Sequence, residues 1–402
     1  MSMPIEEERQ SPRVSAPFPM ISLSGINVLI VTSGHAVTDP RISKQACSLQ
    51  RAGANVAIVG RLEHGDPGKV SVLVVPEPAS RPQRFLWQPW RCLWVARRQR
   101  ADVIHFHDAE MLVVLPFAKL WWWRTRFVYD VHEDFANLML IRDWLPAPIK
   151  PIVRRLLSTV EKGLAWFADA IVTVTPPLMD KFNNKNKITA YNFVASEFFD
   201  QAGRLKREPR NREFDLIHLG TLNLRRARFL VDTLHEFHRL RPHTRSLIIG
   251  VSADIREAIK ETIPQGCVLE GRTPYEELPA VLGNAKVGID VHPWLGPHLK
   301  VAVPVKVCEY MAAGCAVVTS AMPVLNRILD EAKINSESLM VIEGGTPCDY
   351  AQAAAHMVDL IDKGTDLGAR LYEAARQHLV WDKEAVKIAW LYLKLMGRPC
   401  AI

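Results

Sequence analysis

Short apolar runs recur along the first half of the chain and alternate with stretches that have helical spacing. Six such runs occupy 28–33, 55–60, 71–76, 102–108, 126–134 and 170–176. Continuous runs rich in β-branched residues are typical of parallel strands whose two faces are both covered. The stretch 43–53 has apolar residues at helical spacing and ends at Gly53, as a helix would. The pattern predicts a doubly wound α/β domain that binds ligands at the carboxyl ends of its strands.

The same pattern begins again after a charged stretch at 201–213. Strand-like runs follow at 214–220, 246–251, 268–271, 287–293, 316–320 and 339–345, and helical stretches at 225–241, 304–314 and 381–396. We therefore predict two doubly wound, Rossmann-like domains, 25–200 and 214–380, that face each other across a cleft and are joined by a flexible linker at 201–213. Residues 1–24 are polar and proline-rich, which predicts a disordered lead-in. Residues 381–402 should form a C-terminal helix and tail that return to the first domain.

The composition indicates which class of protein this is and which partners suit its charge. A chain of 402 residues with 48% hydrophobic and 23% charged residues is globular and long enough for two cores. Its net charge of +7 fits a partner that is an anionic small molecule or an anionic membrane surface. We expect no nucleic-acid partner, because no RNA-binding module pattern is present. Seven scattered cysteines without a CxxC pair indicate reduced thiols and a cytoplasmic protein. No apolar stretch reaches the roughly 18–20 residues of a spanning helix.

The segment PVKVCEYMAAG at 304–314 carries informative polar residues. Pro304 suits the first turn of a helix and Gly314 suits its end, which predicts a helix of about three turns. The N-terminus of that helix, with Lys306, is a site for an anion such as a diphosphate. Glu309 lies deeper in the helix, where a carboxylate repels phosphate but can accept hydrogen bonds from a ribose diol. The alternative is a buried structural ion pair between Glu309 and a neighbouring Lys or Arg.

Several segments resemble, in the right order, those of GT-B-fold, family-4-type retaining glycosyltransferases, the glycosyl transferases of group 1. PVKVCEYMAAGCAVVTS resembles their donor-binding segment, and TSGHAVTDPRISKQACSLQRAG resembles the first strand, loop and helix of a subgroup with a DPR loop. IHFHDAEMLVVLP, RFVYDVHEDF, LIHLGTLNLRRAR and VLEGRTPYEELPAVLGNAKVGIDVHP resemble further strand ends. The resemblance spans about 25–395 and is specific as a set. It implies an enzyme that moves a sugar from a nucleotide-diphosphate sugar to an acceptor.

The resemblance implies roles for individual residues. Glu309 corresponds to the ribose-binding glutamate, His132 to the histidine that reaches the transferred sugar, and Gly34 to the glycine that approaches the diphosphate. Of the implied basic pair, Arg225 and Arg226, we favour Arg226. The implied catalytic set is therefore His132, Arg226 and Glu309. The implied donor-binding set is Gly34, Gly220, Arg225, Arg226, Arg272, Lys306 and Glu309.

Two positions depart from the family pattern. Thr221 stands where the first arginine is usual, and Val301 stands where a second glutamate is usual, eight residues before Glu309. The second departure leaves the hydroxyls of the transferred sugar without an assigned partner. His298 and Lys300 are the nearby candidates to replace it. A different donor sugar or weakened activity would also account for the change.

The chemistry implied by the resemblance is retention of configuration, with the leaving phosphate assisting an acceptor hydroxyl on the same face. Negative charge builds on the diphosphate as the bond breaks, so cations and helix N–H groups should surround it. Retaining hydrolases instead use two carboxylates across the bond, and no such pair is evident. No DxD motif follows a strand, so we expect no metal and no other cofactor.

The HFHDAE segment raises a separate question. His105 and His107 share one face of a strand, which is compatible with a metal site. The resemblance instead places His107, Asp108 and Glu110 on the acceptor side of the cleft, together with Asp134. A purely structural role is the third interpretation, and the sequence leaves the three open.

A basic, tryptophan-rich area lies at 81–126. RPQRFLWQPWRCLWVARRQR and WWWRTR combine arginine with tryptophan, as segments at a lipid headgroup interface do. This area predicts peripheral membrane contact, which would bring the enzyme to a lipid-linked acceptor at the inner face of the membrane. The alternative is that the tryptophans are core and the arginines a solvated face.

We therefore predict a cytoplasmic hexosyltransferase-like enzyme that acts on a glycan or lipid-linked acceptor in surface polysaccharide or glycolipid synthesis. Two alternatives stay open. One is a GT-B-fold sugar-nucleotide epimerase, which would act without an acceptor. The other is a non-catalytic binding protein derived from the enzyme, an interpretation favoured by Val301 and Thr221.

Overall fold

The structure is a computed structural model that describes residues 21–63, 70–142, 144–205, 207–292, 294, 296–334 and 337–399. Most of the predicted lead-in, residues 1–20, lies outside the described residues. Leu23, near the end of that predicted segment, is fully buried and its N–H donates to the carbonyl of Ala52. The packed part of the chain therefore begins before residue 25.

Thirteen strands in the described part of the chain form two parallel sheets. The strands of the first sheet are β1 Asn27–Ala36, β2 Asn55–Arg61, β3 Ser71–Val74, β4 Val103–Phe106, β5 Arg126–Val131, β6 Ala170–Thr173 and β7 Lys187–Thr189. The strands of the second sheet are β8 Phe214–Leu219, β9 Ser246–Ile249, β10 Cys267–Leu269, β11 Ala285–Asp290, β12 Ala316–Ser320 and β13 Leu339–Ile342. The spatial orders are β3-β2-β1-β4-β5-β6-β7 and β10-β9-β8-β11-β12-β13.

These orders reverse direction beside the first strand of each sheet, as in a doubly wound fold. The two-domain, Rossmann-like prediction is confirmed, with all twelve predicted strands in place. Strand β7 was not predicted, because its three residues follow the polar stretch NNKN and are too few to form an apolar run.

Helices cover both faces of both sheets. In the first domain they are α1 Pro40–Arg51, α2 Arg81–Leu86, α3 Gln88–Ala96, α4 Leu115–Trp121, α5 Phe135–Leu138, α6 Lys150–Ala165 and α7 Pro176–Met179. The remaining helices are α8 Ser196–Arg204, α9 Leu224–Leu240, α10 Ala253–Ile259, α11 Leu278–Leu282, α12 Val305–Ala312, α13 Pro323–Glu331, α14 Pro347–Asp362, α15 Leu367–His378 and α16 Trp381–Leu395. Each face of each sheet has its own apolar cluster, so the two domains have separate cores.

Helix α12 is shorter than predicted. It spans eight residues rather than about three turns, and Gly314 ends it with a φ of +68°, which a residue with a side chain rarely adopts. The ring of Tyr310 packs directly on Gly288 in β11, where any Cβ would collide with it. This close contact holds α12 against β11.

The stretch predicted as a flexible linker is partly helical. Residues 201–204 close α8, and its Phe198 and Phe199 are buried in the core of the second domain. The helix therefore extends four residues into the stretch predicted as the linker, because the buried apolar pair that precedes this stretch holds α8 in place.

The C-terminal helix returns to the first domain, as predicted. Val194 and Val380 form a parallel bridge where the chain passes between the domains. Trp381 then packs in the core of the first domain, fully buried, and its indole N–H donates to Ser48 Oγ at 3.0 Å. At the other end of α16, the Tyr392 hydroxyl lies 2.6 Å from His105 Nδ1. This helix therefore ties the end of the second domain to the first.

Among the described residues, no helix has the length and apolar character needed to cross a bilayer.

The anchoring role of Trp381 gives a stability prediction. Trp381→Ala should lower the free energy of unfolding by about 3–5 kcal/mol, because it leaves a cavity in a packed core. Trp390→Ala, on the exposed side of the same helix, should change it by about 0.5 kcal/mol or less. Urea unfolding followed by circular dichroism measures both, and equal effects of the two changes would contradict this role for Trp381.

Candidate functional site

A cleft runs between the carboxyl ends of the two sheets. It contains one cavity of about 1140 Å³ and an adjoining one of about 380 Å³. The two cavities share Leu299, Ala302 and Val305, which precede and begin α12. Both cavities are lined from both domains, so a ligand there would contact the two halves of the chain together.

Direct contacts hold the two sides of the cleft together. Thr175 Oγ1 of the first domain donates to the carbonyl of Val301 in the second, at 2.6 Å. Arg272 pairs with Glu63 across the rim at 3.2 Å. Val301 thus contributes its backbone to domain contact, while its side chain lines the smaller cavity.

A buried carboxylate organises the cations at the floor of the larger cavity. Asp290, at the end of β11, is fully buried, and its Oδ1 lies 3.3–3.4 Å from His292, Arg226 and Lys306. Burial would raise the pKa of Asp290, but His292, Lys306 and Arg226 hold it well below its usual range. Asp290 therefore stays ionised and fixes the two basic side chains. The sequence analysis missed this aspartate, although its place at the end of the run VGID was a visible signal.

Arg226 and Lys306 both face the cavity. The Arg226 Nε donates to the carbonyl of Val291 at 2.9 Å, which leaves the guanidinium at the cavity wall. The Lys306 ammonium lies 3.3 Å from where a Cβ would stand on Gly220, a residue at φ +100°. Only glycine suits Gly220, and its lack of a side chain keeps the space between strand β8 and Lys306 open.

Arg225 does not join this group. Its guanidinium lies 3.2 Å from the ring centroid of Trp294, and the residue does not line either cavity. Adjacent residues on a helix point about 100° apart, so only Arg226 of the predicted pair faces the cleft. The second cation of the site is Lys306. Arg272 lines the rim of the larger cavity and is mostly exposed.

Glu309 lies on α12 facing the larger cavity. It is buried, and among the described residues no side chain forms an ion pair or hydrogen bond with its carboxylate. Burial raises the pKa of Glu309 to about 7, although Lys44 and Lys306 lower it. The structural ion pair considered from the sequence is absent from the described part of the chain. An ionised carboxylate here would have its lone pairs free to accept hydrogen bonds from a ligand.

The structure places the predicted acceptor-side residues of the β4 loop away from the cavities. Asp108 accepts hydrogen bonds from Thr32 Oγ1 and from the backbone N–H groups of Ser33 and Gly34, at 2.8–3.1 Å. Glu110 pairs with Arg84 at 2.9 Å. These carboxylates order the carboxyl end of β1, so they act on the site only through that segment.

Gly34 is covered rather than open. A Cβ at this position would collide with the guanidinium of Arg84, and its N–H is already donated to Asp108. The predicted approach of Gly34 to a diphosphate therefore requires Arg84 to move. Arg84 is more than 45 residues away from Gly34 in the sequence, and no sequence pattern predicts a contact between the two residues.

His132 and Asp134 line the smaller cavity, with Glu133 between them. Asp134 caps α5 by accepting from the N–H of Asn137 at 3.4 Å, and it pairs with Lys181. His298, one of the candidates to replace the missing glutamate, lines the same cavity, whereas Lys300 lines neither.

His35 was missed by the sequence analysis. It lines the smaller cavity beside His132, with 4.7 Å between the ring centroids, and its Nδ1 lies 2.7 Å from Asp108. Its position just after the predicted strand 28–33, at a carboxyl end where ligands bind in such folds, was the available signal.

His107 is buried behind this wall and contributes no group to the cavities. Its two ring nitrogens have no hydrogen-bond partner in the described part of the chain, and burial lowers its pKa well below the usual range. With His105 and Asp130 it forms a cluster whose ligand atoms lie within 4.8 Å of one another. However, Arg41 Nη2 donates to both oxygens of Asp130 at 2.8 and 2.9 Å. Because the Arg41 guanidinium already pairs with both oxygens of Asp130, the cluster does not have a free carboxylate for a metal ion.

The basic, tryptophan-rich area is exposed rather than core. Its large apolar side chains at the surface are Leu86, Trp87, Trp90, Trp94, Val113, Phe117, Leu120, Trp121 and Trp123. Helix α6 adds Ile152, Leu156 and Val160, which are exposed at four-residue spacing and flanked by Arg154, Arg155 and Lys162. The interpretation that these tryptophans are core is wrong for all but Trp122, which is half-buried.

Comparisons with known proteins agree on the fold. Residues 38–192 match the Glycosyl transferase 4-like domain, and residues 213–360 match the Glycosyl transferases group 1 domain, together about three quarters of the chain. No curated protein sequence matches the chain at a significant level.

Solved structures with low sequence identity share the architecture. Sucrose-phosphate synthase from Thermosynechococcus elongatus is 14% identical with a TM-score of 0.68, covering 92% of this chain and 99% of that one. Anabaena HepE in complex with UDP-glucose is 12% identical with a TM-score of 0.65 and the same coverages. A glycosyltransferase from Rickettsia africae is 13% identical with a TM-score of 0.62, covering 93% and 99%.

The buried state of Glu309 gives a pH-dependent stability prediction. The unfolded chain has the usual glutamate pKa near 4.5, whereas the folded chain binds this proton up to about pH 7. The cost of ionising Glu309 is therefore small below pH 4.5 and complete above about pH 7. Glu309→Gln should raise the melting temperature at pH 8 more than at pH 5.

The exposed Glu257, paired only with Lys260, is the matched control, and Glu257→Gln should show no such difference. Calorimetry at the two pH values measures the effect. A destabilised Glu309→Gln protein at pH 8 would show that the carboxylate is paired in the folded chain.

Proposed function

Since the chain belongs to the glycosyl transferases of group 1 and carries a glycosyl transferase 4-like domain, we propose that it moves a sugar from a nucleotide-diphosphate sugar to a glycan or lipid-linked acceptor. The proposed transfer retains the anomeric configuration. Surface polysaccharide or glycolipid synthesis is the proposed setting.

One observation carries the proposal: the unpaired Glu309 carboxylate shares a cavity with Lys306, Arg226 and the open space at Gly220. A ribose needs an acceptor for its two hydroxyls, and a diphosphate needs cations and free N–H groups. The start of α12 offers both within one helix of eight residues. UDP-glucose bound to HepE, a protein of the same fold, supports a nucleotide sugar as the ligand.

The charges in the cavity suit departure of a nucleoside diphosphate. Negative charge grows on the leaving diphosphate, and Arg226 and Lys306 are held by Asp290 before the reaction begins. Preorganised cations of this kind stabilise a transition state without further rearrangement. The proposed mechanism therefore requires no metal, and the leaving phosphate assists the acceptor hydroxyl on the same face, as the family resemblance implies.

The smaller cavity is the proposed place of the transferred sugar and the incoming acceptor. His132 and Asp134 supply polar groups there, and His298 stands near the position of the missing glutamate. The Val301 side chain removes one acceptor from this wall, so the donor sugar should need fewer hydroxyl contacts on that side.

The donor site gives a binding prediction. A nucleoside diphosphate at 100 times its Kd should stabilise the chain by about 2.7 kcal/mol, which thermal shift detects when UDP, ADP, GDP and their sugars are screened. Glu309→Gln should weaken the binding of the identified nucleotide by about 10- to 100-fold, because a charge-assisted hydrogen bond is worth about 1.5–3 kcal/mol. Glu257→Gln, on the outer surface of the same domain, should bind normally.

If Glu309→Gln binds the identified nucleotide with unchanged affinity, the assignment of Glu309 to the ribose site is wrong. The alternatives separate in a second assay with the identified nucleotide sugar. Product formed only when an acceptor glycan is added supports transfer. An epimer formed from the donor alone would indicate the epimerase, and tight binding without any turnover would indicate the non-catalytic protein.

Peripheral contact with the inner face of the membrane is the second part of the proposal. The exposed apolar side chains of α3, α4 and α6 carry arginines and lysines around them, a combination suited to anionic lipid headgroups. A cytoplasmic enzyme bound there would reach a lipid-linked acceptor without leaving its nucleotide-sugar supply. The proposed membrane-contact surface therefore includes α6 in addition to the area predicted at 81–126.

Membrane contact can be tested with lipid vesicles. The protein should sediment with vesicles that contain phosphatidylglycerol, and less with phosphatidylcholine alone. Replacing Leu120, Trp121 and Trp123 with alanine should weaken binding at least tenfold, since each buried apolar side chain contributes about 1.5 kcal/mol or more. Trp390→Ala, an exposed tryptophan on α16, is the control. Equal vesicle binding by all these proteins would rule out this surface.

A further inference from the structure

Three residues at the carboxyl ends of the neighbouring strands β1, β4 and β5 form a connected chain at the smaller cavity. Asp108 Oδ1 lies 2.7 Å from His35 Nδ1, and His35 Nε2 lies 3.3 Å from His132 Nε2. The Asp108 carboxylate is fully buried, and both imidazoles line the cavity. The remaining nitrogen of His132, Nδ1, is buried and has no partner among the described residues.

The geometry restricts where the protons lie. His35 Nδ1 must carry a proton, because it faces a carboxylate at hydrogen-bond distance. Two ring nitrogens that face each other at 3.3 Å share one proton, which belongs either to His35 or to His132. Of the two rings, only that of His35 contacts the Asp108 carboxylate, so a positive charge is more stable on His35 than on His132.

We propose that His35 is a positioning residue: held by Asp108 as an imidazolium, it donates its Nε2–H to His132, so that His132 keeps its own proton on Nδ1 as a donor to a hydroxyl oxygen of the transferred sugar. This inference rests on the proposed function for the identity of the ligand. The arrangement of protons itself belongs to the chain without ligand. It makes His132 a neutral donor of fixed tautomer rather than a base.

The charged groups around the two rings support this arrangement. Burial would lower the pKa of His35, but the hydrogen bond and charge of Asp108, with Asp39 and Glu133, raise it to about 9. Burial and the His35 charge lower the pKa of His132, with Arg41 acting in the same direction and Asp130 and Glu133 opposing it. His35 therefore stays charged, and His132 neutral, across the neutral range.

The tautomers can be read directly by ¹⁵N NMR of histidine-labelled protein without ligand. The chain has 13 histidines, and spectra of His35→Gln and His132→Gln identify the two signals. Between pH 6 and 8, His35 should be an imidazolium and His132 a neutral ring protonated at Nδ1. A neutral His35 at pH 7, or a proton on Nε2 of His132, would overturn the inference.

The pH dependence of turnover gives the functional test. Wild-type kcat should fall as the pH rises through about 9, because His35 loses its proton and His132 then donates Nε2–H to it instead. Asp108→Asn should move this fall to lower pH, toward the usual histidine range, and His35→Gln should have lower kcat without the fall. A purely structural role would reduce activity without moving the profile.

The two tests separate the inference from the proposed function. Absence of transfer by the wild-type protein would remove the proposed function, yet the NMR titration would still decide the proton arrangement. If His35→Gln fails to fold, the NMR titration of the wild-type protein and the pH profile of Asp108→Asn still test the inference. An unmoved alkaline fall in folded Asp108→Asn contradicts the positioning role.

Discussion

The larger cavity of the cleft depends on one buried carboxylate. Asp290 lies at the carboxyl end of β11 with no exposed surface, and its Oδ1 holds Arg226, Lys306 and His292 together. An unpaired charge at that depth would be strongly unfavourable, so the carboxylate and its cations must be placed together. Strand β11 fixes the carboxylate, and the contact of Tyr310 with Gly288 fixes α12 against that strand. The cations that face the cavity are thus set by the packing of the second domain.

The carboxylates of Asp290, at the end of β11, and Glu309, on the following helix α12, therefore have opposite roles. Asp290 is ionised because cations surround its Oδ1, which makes it part of the scaffold. Glu309 has no such partner in the described chain, and burial holds its proton to about pH 7. A ligand that donates hydrogen bonds would relieve this unfavourable burial. The folded chain without ligand carries that cost, which is typical of residues kept for binding rather than for stability.

The sequence predicted the fold well because both domains repeat apolar runs that only a covered parallel sheet can bury. It also predicted that Glu309 lies on a short helix at the cleft, since the proline and glycine that bound α12 are visible in the sequence. It favoured Arg226 of the basic pair but could not exclude Arg225, whose side chain the structure turns about 100° away along the helix, onto Trp294. Nor could it show that Arg84 covers Gly34, or that Asp108 binds His35, since these contacts join elements that are distant in the sequence. The exposed stripe on α6 was missed because apolar residues at helical spacing ordinarily face a core.

The central claim is that a nucleoside diphosphate binds with its ribose on Glu309 and its phosphates between Gly220, Arg226 and Lys306. A crystal structure of the protein with its nucleoside diphosphate tests this most directly. The account predicts ribose hydroxyls within about 3.2 Å of the Glu309 carboxylate and phosphate oxygens at the start of α12. A nucleotide bound elsewhere, or Glu309 paired with Lys44 beside a bound nucleotide, would contradict it.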